Sequence, residues 1–112
     1  MVSGGFLGEF EQLVLLALIR LGDDAYGMTV QQELARRARR EASLGAVYTT
    51  LARLERKGLV ATRVGEPTAE RGGRRKRHFT VLPAGHAALK SSLAAVQRMA
   101  AGLRAVPGSE AS

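Results

Sequence analysis

Residues 44–60 read LGAVYTTLARLERKGLV, and the fold class follows from this stretch. Its branched apolar residues fall within one arc when each position advances by about 100°, which predicts a helix with one buried face. These residues are Leu44, Val47, Leu51 and Leu54. Ser43 stands at the N-cap position and Gly58 at the position where a helix ends. The prediction is therefore a helix over residues 44–57.

The opposite face of this helix suits contact with a polyanion. Gly45 and Ala46 leave room for close approach, and Thr49 and Arg53 can reach base edges or phosphates. Arg56 and Lys57, farther along the helix, are expected to lie toward the DNA backbone. A DNA major groove, about 12 Å wide, accepts one such helix. Taken alone, however, the pattern also fits an ordinary amphipathic surface helix.

Two helices are predicted before this one. After a loose leader at residues 1–6, apolar residues recur at spacings of three and four over residues 7–21, and Gly22 closes that helix. Asp23 and Asp24 are expected to cap a second helix over residues 25–40.

A β-hairpin is predicted after the third helix. Residues 59–64 are short and rich in β-branched side chains, and residues 75–82 alternate toward their end, with a Gly- and Pro-containing turn between them. The turn and second strand contain RGGRRKR at residues 71–77, five cations in seven positions. A basic hairpin directly after a candidate recognition helix predicts a winged helix-turn-helix domain over residues 7–82.

A final helix is predicted from Pro83 to about residue 105, followed by a disordered tail at residues 106–112. Its apolar residues are spaced alternately three and four apart, which is typical of a helix that packs on a partner helix. With the apolar start of the first helix, they form the predicted dimer interface. The interface residues are Phe10, Val14, His86, Leu89, Leu93, Val96, Ala100 and Leu103.

Charge is distributed unevenly along the chain. The net charge is +7, and residues 36–77 contain 13 of the 17 Lys and Arg residues but only four of the ten acidic ones. A positive field confined to one region favours a nucleic-acid partner, although a basic surface can also simply maintain solubility.

Other classes of protein fit the composition less well. The chain has no cysteine, so it has no disulfides and no thiolate metal ligands. Its most apolar run, residues 13–19, is far shorter than the roughly 20 residues of a membrane span. His78 and His86 lack a nucleophile, a metal-ligand spacing or a phosphate-binding loop beside them. We therefore predict a cytoplasmic protein that is not an enzyme and needs no cofactor or metal.

Residues 44–60 resemble the recognition helix and first wing strand of PadR-type transcriptional regulators. Tyr26-Gly27 is similar to the pair that opens the second helix in that family, and residues 72–79 are similar to its basic wing. Pro83-Ala84-Gly85, together with Leu89, is similar to the start of its last helix. The resemblance extends from about residue 7 to residue 103. It implies a homodimer formed through the last helix, assisted by the first, and binding to a pseudo-palindromic operator, commonly near efflux or detoxification genes.

The basic wing is itself expected to contact phosphates, and the resemblance supports DNA contact by Tyr48, Thr49, Arg53 and the wing cations. The complete predicted set is Ser43, Gly45, Ala46, Tyr48, Thr49, Arg53, Arg56, Lys57, Arg74, Arg75, Lys76 and Arg77. Two departures stand out. Leu82 replaces the Thr that often precedes the last helix, and the absence of Trp means that drug binding between tryptophans is not carried over.

The sequence thus predicts a mainly helical winged helix-turn-helix protein with a small β-hairpin and a C-terminal dimerisation helix. Its predicted function is sequence-specific binding of double-stranded DNA as a homodimeric regulator, most simply a repressor. A small-molecule effector is left open. The alternative is a winged-helix module that binds proteins rather than DNA.

Overall fold

A computed structural model describes residues 7–65 and 76–103. Its elements, in chain order, are α1 (Glu9–Leu21), a 3-10 turn (Gly22–Asp24), α2 (Gly27–Arg37), α3 (Leu44–Arg56), β1 (Val60–Val64), β2 (Arg77–Val81) and α4 (Pro83–Ala100). The predicted fold class, mainly helical with a small hairpin, is confirmed. The predicted leader at residues 1–6, most of the basic turn and the predicted tail at residues 106–112 lie outside the described residues.

The core lies where α1, α2 and α3 meet. Its largest completely buried side chains come from all three helices and from β1, and burial of each contributes about 1.5–3 kcal/mol to stability. They are Val14, Leu15, Val30, Leu34, Val47, Leu51, Leu54 and Val60. Along α2 and α3 these positions are three or four residues apart, so each of these helices has one face to bury.

The hairpin is joined to the helices through a backbone connection. Strands β1 and β2 are antiparallel, with Val60 opposite Val81 and Val64 opposite Arg77. Phe79 N–H in β2 donates to the carbonyl oxygen of Ala25 at 2.9 Å, and Tyr26 forms a single antiparallel bridge with His78, so the segment between α1 and α2 lies beside β2. The hairpin is thereby held at a fixed position relative to α2.

The last helix is held close to the start of β1. Leu82 N–H donates to the carbonyl oxygen of Leu59 at 2.9 Å. A Cβ at Gly85 would overlap that same oxygen, so only glycine permits this close packing. Leu82 occupies the N-cap position and makes no side-chain cap hydrogen bond, and Pro83 nevertheless begins the helix.

Several predicted boundaries are wrong. Asp23 and Asp24 lie in the 3-10 turn and do not cap α2, whose N-cap is Tyr26. The Thr29 hydroxyl accepts the Tyr26 N–H at 3.0 Å and supplies the missing cap. Helix α2 ends at Arg37 rather than residue 40, because the chain turns at Arg39, which has a positive φ of 54°. Helix α4 ends at Ala100 rather than near residue 105.

Replacement of Gly85 by Ala should destabilise the protein, because the new Cβ would collide with the Leu59 carbonyl. We expect a loss of about 2–3 kcal/mol in the free energy of unfolding, measured by urea denaturation. Gly45→Ala is the matched control: its Cβ would meet only the Ser43 Oγ, at 3.9 Å, and should leave stability unchanged or raise it by about 0.5–1 kcal/mol. Equal stability of the Gly85→Ala variant and the wild type would contradict the close packing of α4.

Candidate nucleic-acid interface

Helix α3 turns one face into the core and the other to solvent. Val47, Leu51 and Leu54 are completely buried. Every residue of this region that was predicted to contact DNA has an exposed side: Ser43, Gly45, Ala46, Tyr48, Thr49, Arg53, Arg56 and Lys57. The structure therefore leaves all eight residues accessible to solvent on and beside α3.

The start of α3 is fixed by two hydrogen bonds. The Ser43 Oγ accepts the Ala46 N–H at 3.0 Å, which confirms Ser43 as the N-cap. The Gln31 side-chain amide donates to the carbonyl oxygen of Ala42 at 2.9 Å and holds the turn that precedes the helix. The first turn of α3 carries no acidic residue. No carboxylate in the first turn offsets the partial positive charge of the helix N-terminus, which favours a nearby anion.

Tyr48 projects from α3 across the start of α2. Its side chain is partly exposed, and its ring lies 6.4 Å from the Phe79 ring, centroid to centroid. The three atoms nearest to a Cβ built on Gly27 all belong to Tyr48, and each would overlap it. Gly27 is therefore required for the ring to lie where it does. This is the physical reason for a glycine immediately after Tyr26.

A buried carboxylate behind α3 was not predicted from the sequence. Glu11, in the first turn of α1, is only 6% exposed. Its Oε1 accepts the Gly8 N–H at 2.8 Å, and its Oε2 accepts a hydrogen bond from Lys57 Nζ at 2.9 Å. Arg53 NH1 lies 3.9 Å from the same Oε2. Lys57, predicted to face a phosphate backbone, is therefore already paired within the protein.

The pKa of Glu11 lies below its ordinary value. Burial raises this pKa, but the Lys57 hydrogen bond, the Gly8 N–H and the positive charges of Lys57 and Arg53 together lower it further than burial raises it. Glu11 is thus ionised at neutral pH. The only feature of the sequence that indicates a buried carboxylate here is the position of Glu11, three residues before Val14 on the otherwise apolar face of α1.

At the base of the wing, Lys76 contacts Tyr26. Lys76 Nζ lies 3.2 Å from the Tyr26 hydroxyl and 4.4 Å from the centre of its ring, within the range of a cation–π contact. The Tyr26 ring meets His78 edge-on at 5.6 Å. Arg77 is exposed at the start of β2. Arg74 and Arg75, predicted to contact DNA, lie outside the described residues.

A second carboxylate that pairs with several cations lies on α2, away from α3. Glu33 is paired with Arg20 at 3.3 Å, Arg36 at 2.6 Å and Arg37 at 3.0 Å. The Arg36 hydrogen bond is the largest of the influences on the Glu33 pKa, which lies below its ordinary value despite some desolvation. One carboxylate thus holds three arginines together on the surface of α1 and α2.

The predicted dimer residues divide into two groups. Val14 has no exposed surface and Leu89 is 4% exposed, so both fill the core of a single chain and present no surface to a partner. Phe10 is half-buried, with the Arg40 guanidinium 5.2 Å above its ring. The remaining residues retain at least partial exposure: His86, Leu93, Val96, Ala100 and Leu103. Met99, which was not predicted, is 81% exposed about one turn beyond Val96.

Neither a metal site nor a membrane span appears in the described parts of the chain. Among residues 7–65 and 76–103, no three His, Cys, Asp or Glu side chains are grouped so that they could hold a metal ion. Within the same ranges, no helix combines the length and the apolar character needed to cross a bilayer.

Comparison with known proteins identifies a family. The model of the transcriptional regulator PadR-like family matches residues 15–91. A transcriptional regulator from Clostridium thermocellum shares the fold with a TM-score of 0.67 and 20% identity, covering 80% of this chain and 84% of that one. A PadR family regulator from Clostridium difficile R20291 has a TM-score of 0.65 and 20% identity over 83% and 95% of the two chains.

A third similar structure, a PadR family regulator from Eggerthella lenta DSM 2243, has a TM-score of 0.64 and 23% identity, covering 85% of this chain and 82% of that one. No curated protein sequence matches the chain. The winged-helix architecture predicted from the sequence is confirmed by these structures.

The packing of Tyr48 on Gly27 can be measured by a double-mutant cycle. Gly27→Ala should destabilise the wild-type protein by about 1–3 kcal/mol, because the new Cβ would overlap the Tyr48 ring. In a Tyr48→Ala background the same substitution should cost less than about 0.5 kcal/mol, as the obstructing ring is gone. Urea denaturation of the four proteins gives the coupling energy. An equal cost in both backgrounds would show that the ring does not lie over Gly27.

Proposed function

Since this chain belongs to the PadR-like family of transcriptional regulators, we propose that it binds a pseudo-palindromic operator as a homodimer and represses transcription. The observation that carries the proposal is the exposed face of α3, a rigidly anchored helix whose solvent side presents small, hydroxyl and guanidinium groups. Thr49, Arg53 and Arg56 lie there within one exposed surface. Repression follows where the operator overlaps a promoter, and the proposal includes no catalytic role.

In the proposed complex, α3 enters the major groove. Gly45 and Ala46 allow the start of the helix to approach the DNA closely, and the N–H groups of its first turn face a phosphate. Thr49 and Arg53 contact base edges, where a well-placed side chain discriminates between base pairs by about 1–3 kcal/mol. Arg56, farther along α3, contacts the backbone. Tyr48, supported by Gly27, lines the edge of the same surface.

The wing supplies phosphate contacts that do not depend on sequence. Arg77 begins β2, and Arg74 and Arg75 precede it closely in the sequence. We propose that these arginines follow the phosphate backbone beside the groove that α3 occupies. Because such contacts release counterions, they make the affinity depend strongly on salt. Lys76 contributes less, since its ammonium group already contacts Tyr26.

The dimer is supported by the uncovered part of α4. Of the 18 residues in this helix only Gly85 and Leu89 are buried. Val96 and Met99, three residues apart near the end of α4, are 59% and 81% exposed, and Leu103, which follows the helix, is 58% exposed. A groove of about 370 Å³ lies between this part of α4 and the start of α1, where Leu7 contributes to its lining. An apolar strip of this kind favours burial against a partner, and we propose a second copy of α4.

The DNA proposal is tested by separating wing residues from α3 residues. An Arg74→Ala/Arg75→Ala/Arg77→Ala variant should bind every duplex more weakly, and its salt slope should fall by about 0.9 for each phosphate that it no longer neutralises. Thr49→Ala should instead change the preferred base at one operator position. Binding is measured by fluorescence anisotropy against duplexes at several salt concentrations. The control Lys90→Ala/Arg98→Ala removes charge from α4 and should change the slope little. A wing variant with unchanged salt dependence would contradict the proposal.

The dimer proposal is tested by one added charge. Val96→Glu places a carboxylate in the exposed strip of α4, and we expect it to convert the dimer to a monomer at micromolar concentration in sedimentation velocity. Ser91→Glu is the matched control, because about 100° per residue sets it roughly 140° around the helix from Val96. It should remain dimeric. A monomeric wild-type protein at that concentration would refute the interface.

A further inference from the structure

Glu11 connects helix α1 to the last turn of α3. The carboxylate caps the start of α1 through Gly8 and pairs with Lys57 through its other oxygen. Its side chain is 8% exposed, whereas those of Arg53 and Lys57 are 45% and 40% exposed. The negative charge is therefore enclosed, and the two cations that it faces remain accessible from the solvent side.

The two cations lie four residues apart at the end of α3, where the surface proposed to contact DNA also ends. The ionised Glu11 carboxylate beside these two cations takes the place that a DNA phosphate would otherwise have, because it supplies a hydrogen-bond acceptor and a negative charge. Lys57 uses that acceptor at 2.9 Å, within full hydrogen-bonding distance, whereas Arg53 at 3.9 Å is only attracted by the charge. Lys57 is thus the more strongly held, and the Arg53 guanidinium retains its donors for another partner.

We propose that Glu11 is a specificity-determining residue, which withholds Lys57 from the phosphate backbone and positions Arg53 for a base edge. This inference rests on the proposed DNA-binding function. A free lysine is a flexible point charge that binds any phosphate, so it raises affinity for all sequences alike. Withholding it lowers the binding to random DNA more than the binding to the operator, and specificity is the ratio of the two.

The test variant is Glu11→Gln. Glutamine preserves the size of the side chain and an oxygen that can accept the Gly8 N–H, but it removes the charge that holds Lys57. Affinity for a random-sequence duplex should rise about fivefold at 0.1 M salt, and the salt slope should steepen by about 0.9 for each protomer bound. Affinity for a duplex that the wild-type protein selects from a random pool should rise less, so the specificity ratio falls.

Three further variants separate this role from a change in bulk charge or in folding. Glu9→Gln makes the same change in net charge two residues away, where the exposed carboxylate pairs with Arg40 and not with α3; its slope should change by less than half as much. Glu11→Asp keeps the net charge but shortens the reach to Lys57, and should steepen the slope in the same direction. Glu11→Gln/Lys57→Ala should return the slope to the wild-type value.

The outcomes distinguish this inference from the proposed function. Wild-type protein that binds no duplex at low salt overturns both. A second outcome is that the wild-type protein binds DNA with salt-dependent affinity, while the Glu11→Gln and Glu11→Asp variants keep the wild-type salt slope and specificity ratio. That outcome overturns only the role of Glu11. Thermal unfolding establishes that each variant is folded, and Glu11→Asp alone decides the question if Glu11→Gln does not fold.

Discussion

Burial of one face of α3 against α1 and α2 is the interaction on which the rest of the described fold depends. Val47, Leu51 and Leu54 have no exposed surface and pack in one cluster with Val14 and Leu15. Hydrophobic burial stabilises the position of α3 strongly, and it places no requirement on the side chains that face away from the core. The helix is therefore held firmly while its outer face is free to carry the small and cationic residues that recognition needs.

More specific contacts then set the positions of the parts around this anchor. The carbonyl of Leu59 accepts the Leu82 N–H and tolerates only glycine at position 85, which brings the start of α4 against the start of β1. The carbonyl of Ala25 accepts the Phe79 N–H and joins the hairpin to the start of α2. Each is a backbone contact with little tolerance for displacement. The hairpin, α3 and α4 are therefore held in fixed positions relative to one another.

Helix α1 touches both of the proposed working surfaces. Glu11 reaches α3 through Lys57, and one residue later Gln12 lines the groove beside α4. The same turn of helix thus lies between the surface proposed to bind DNA and the surface proposed to bind a second copy. Because the Glu11 carboxylate is enclosed and charged, its contacts are sensitive to small shifts of α1 in a way that the surrounding apolar contacts are not.

The order of elements, the buried face of α3, the Ser43 cap and the end of that helix at Gly58, which has a positive φ of 77°, could all be predicted from the sequence. These features depend on residues that are close together in the chain, so the spacing of apolar and capping residues is enough to predict them. Which element covers each apolar position could not be predicted in this way. Val14 fits a dimer seam by its spacing, yet it is covered within its own chain. Lys57 meets a carboxylate 46 positions away. Spacing identifies an apolar face or a cation, but the partner of each is set by three-dimensional packing between distant segments.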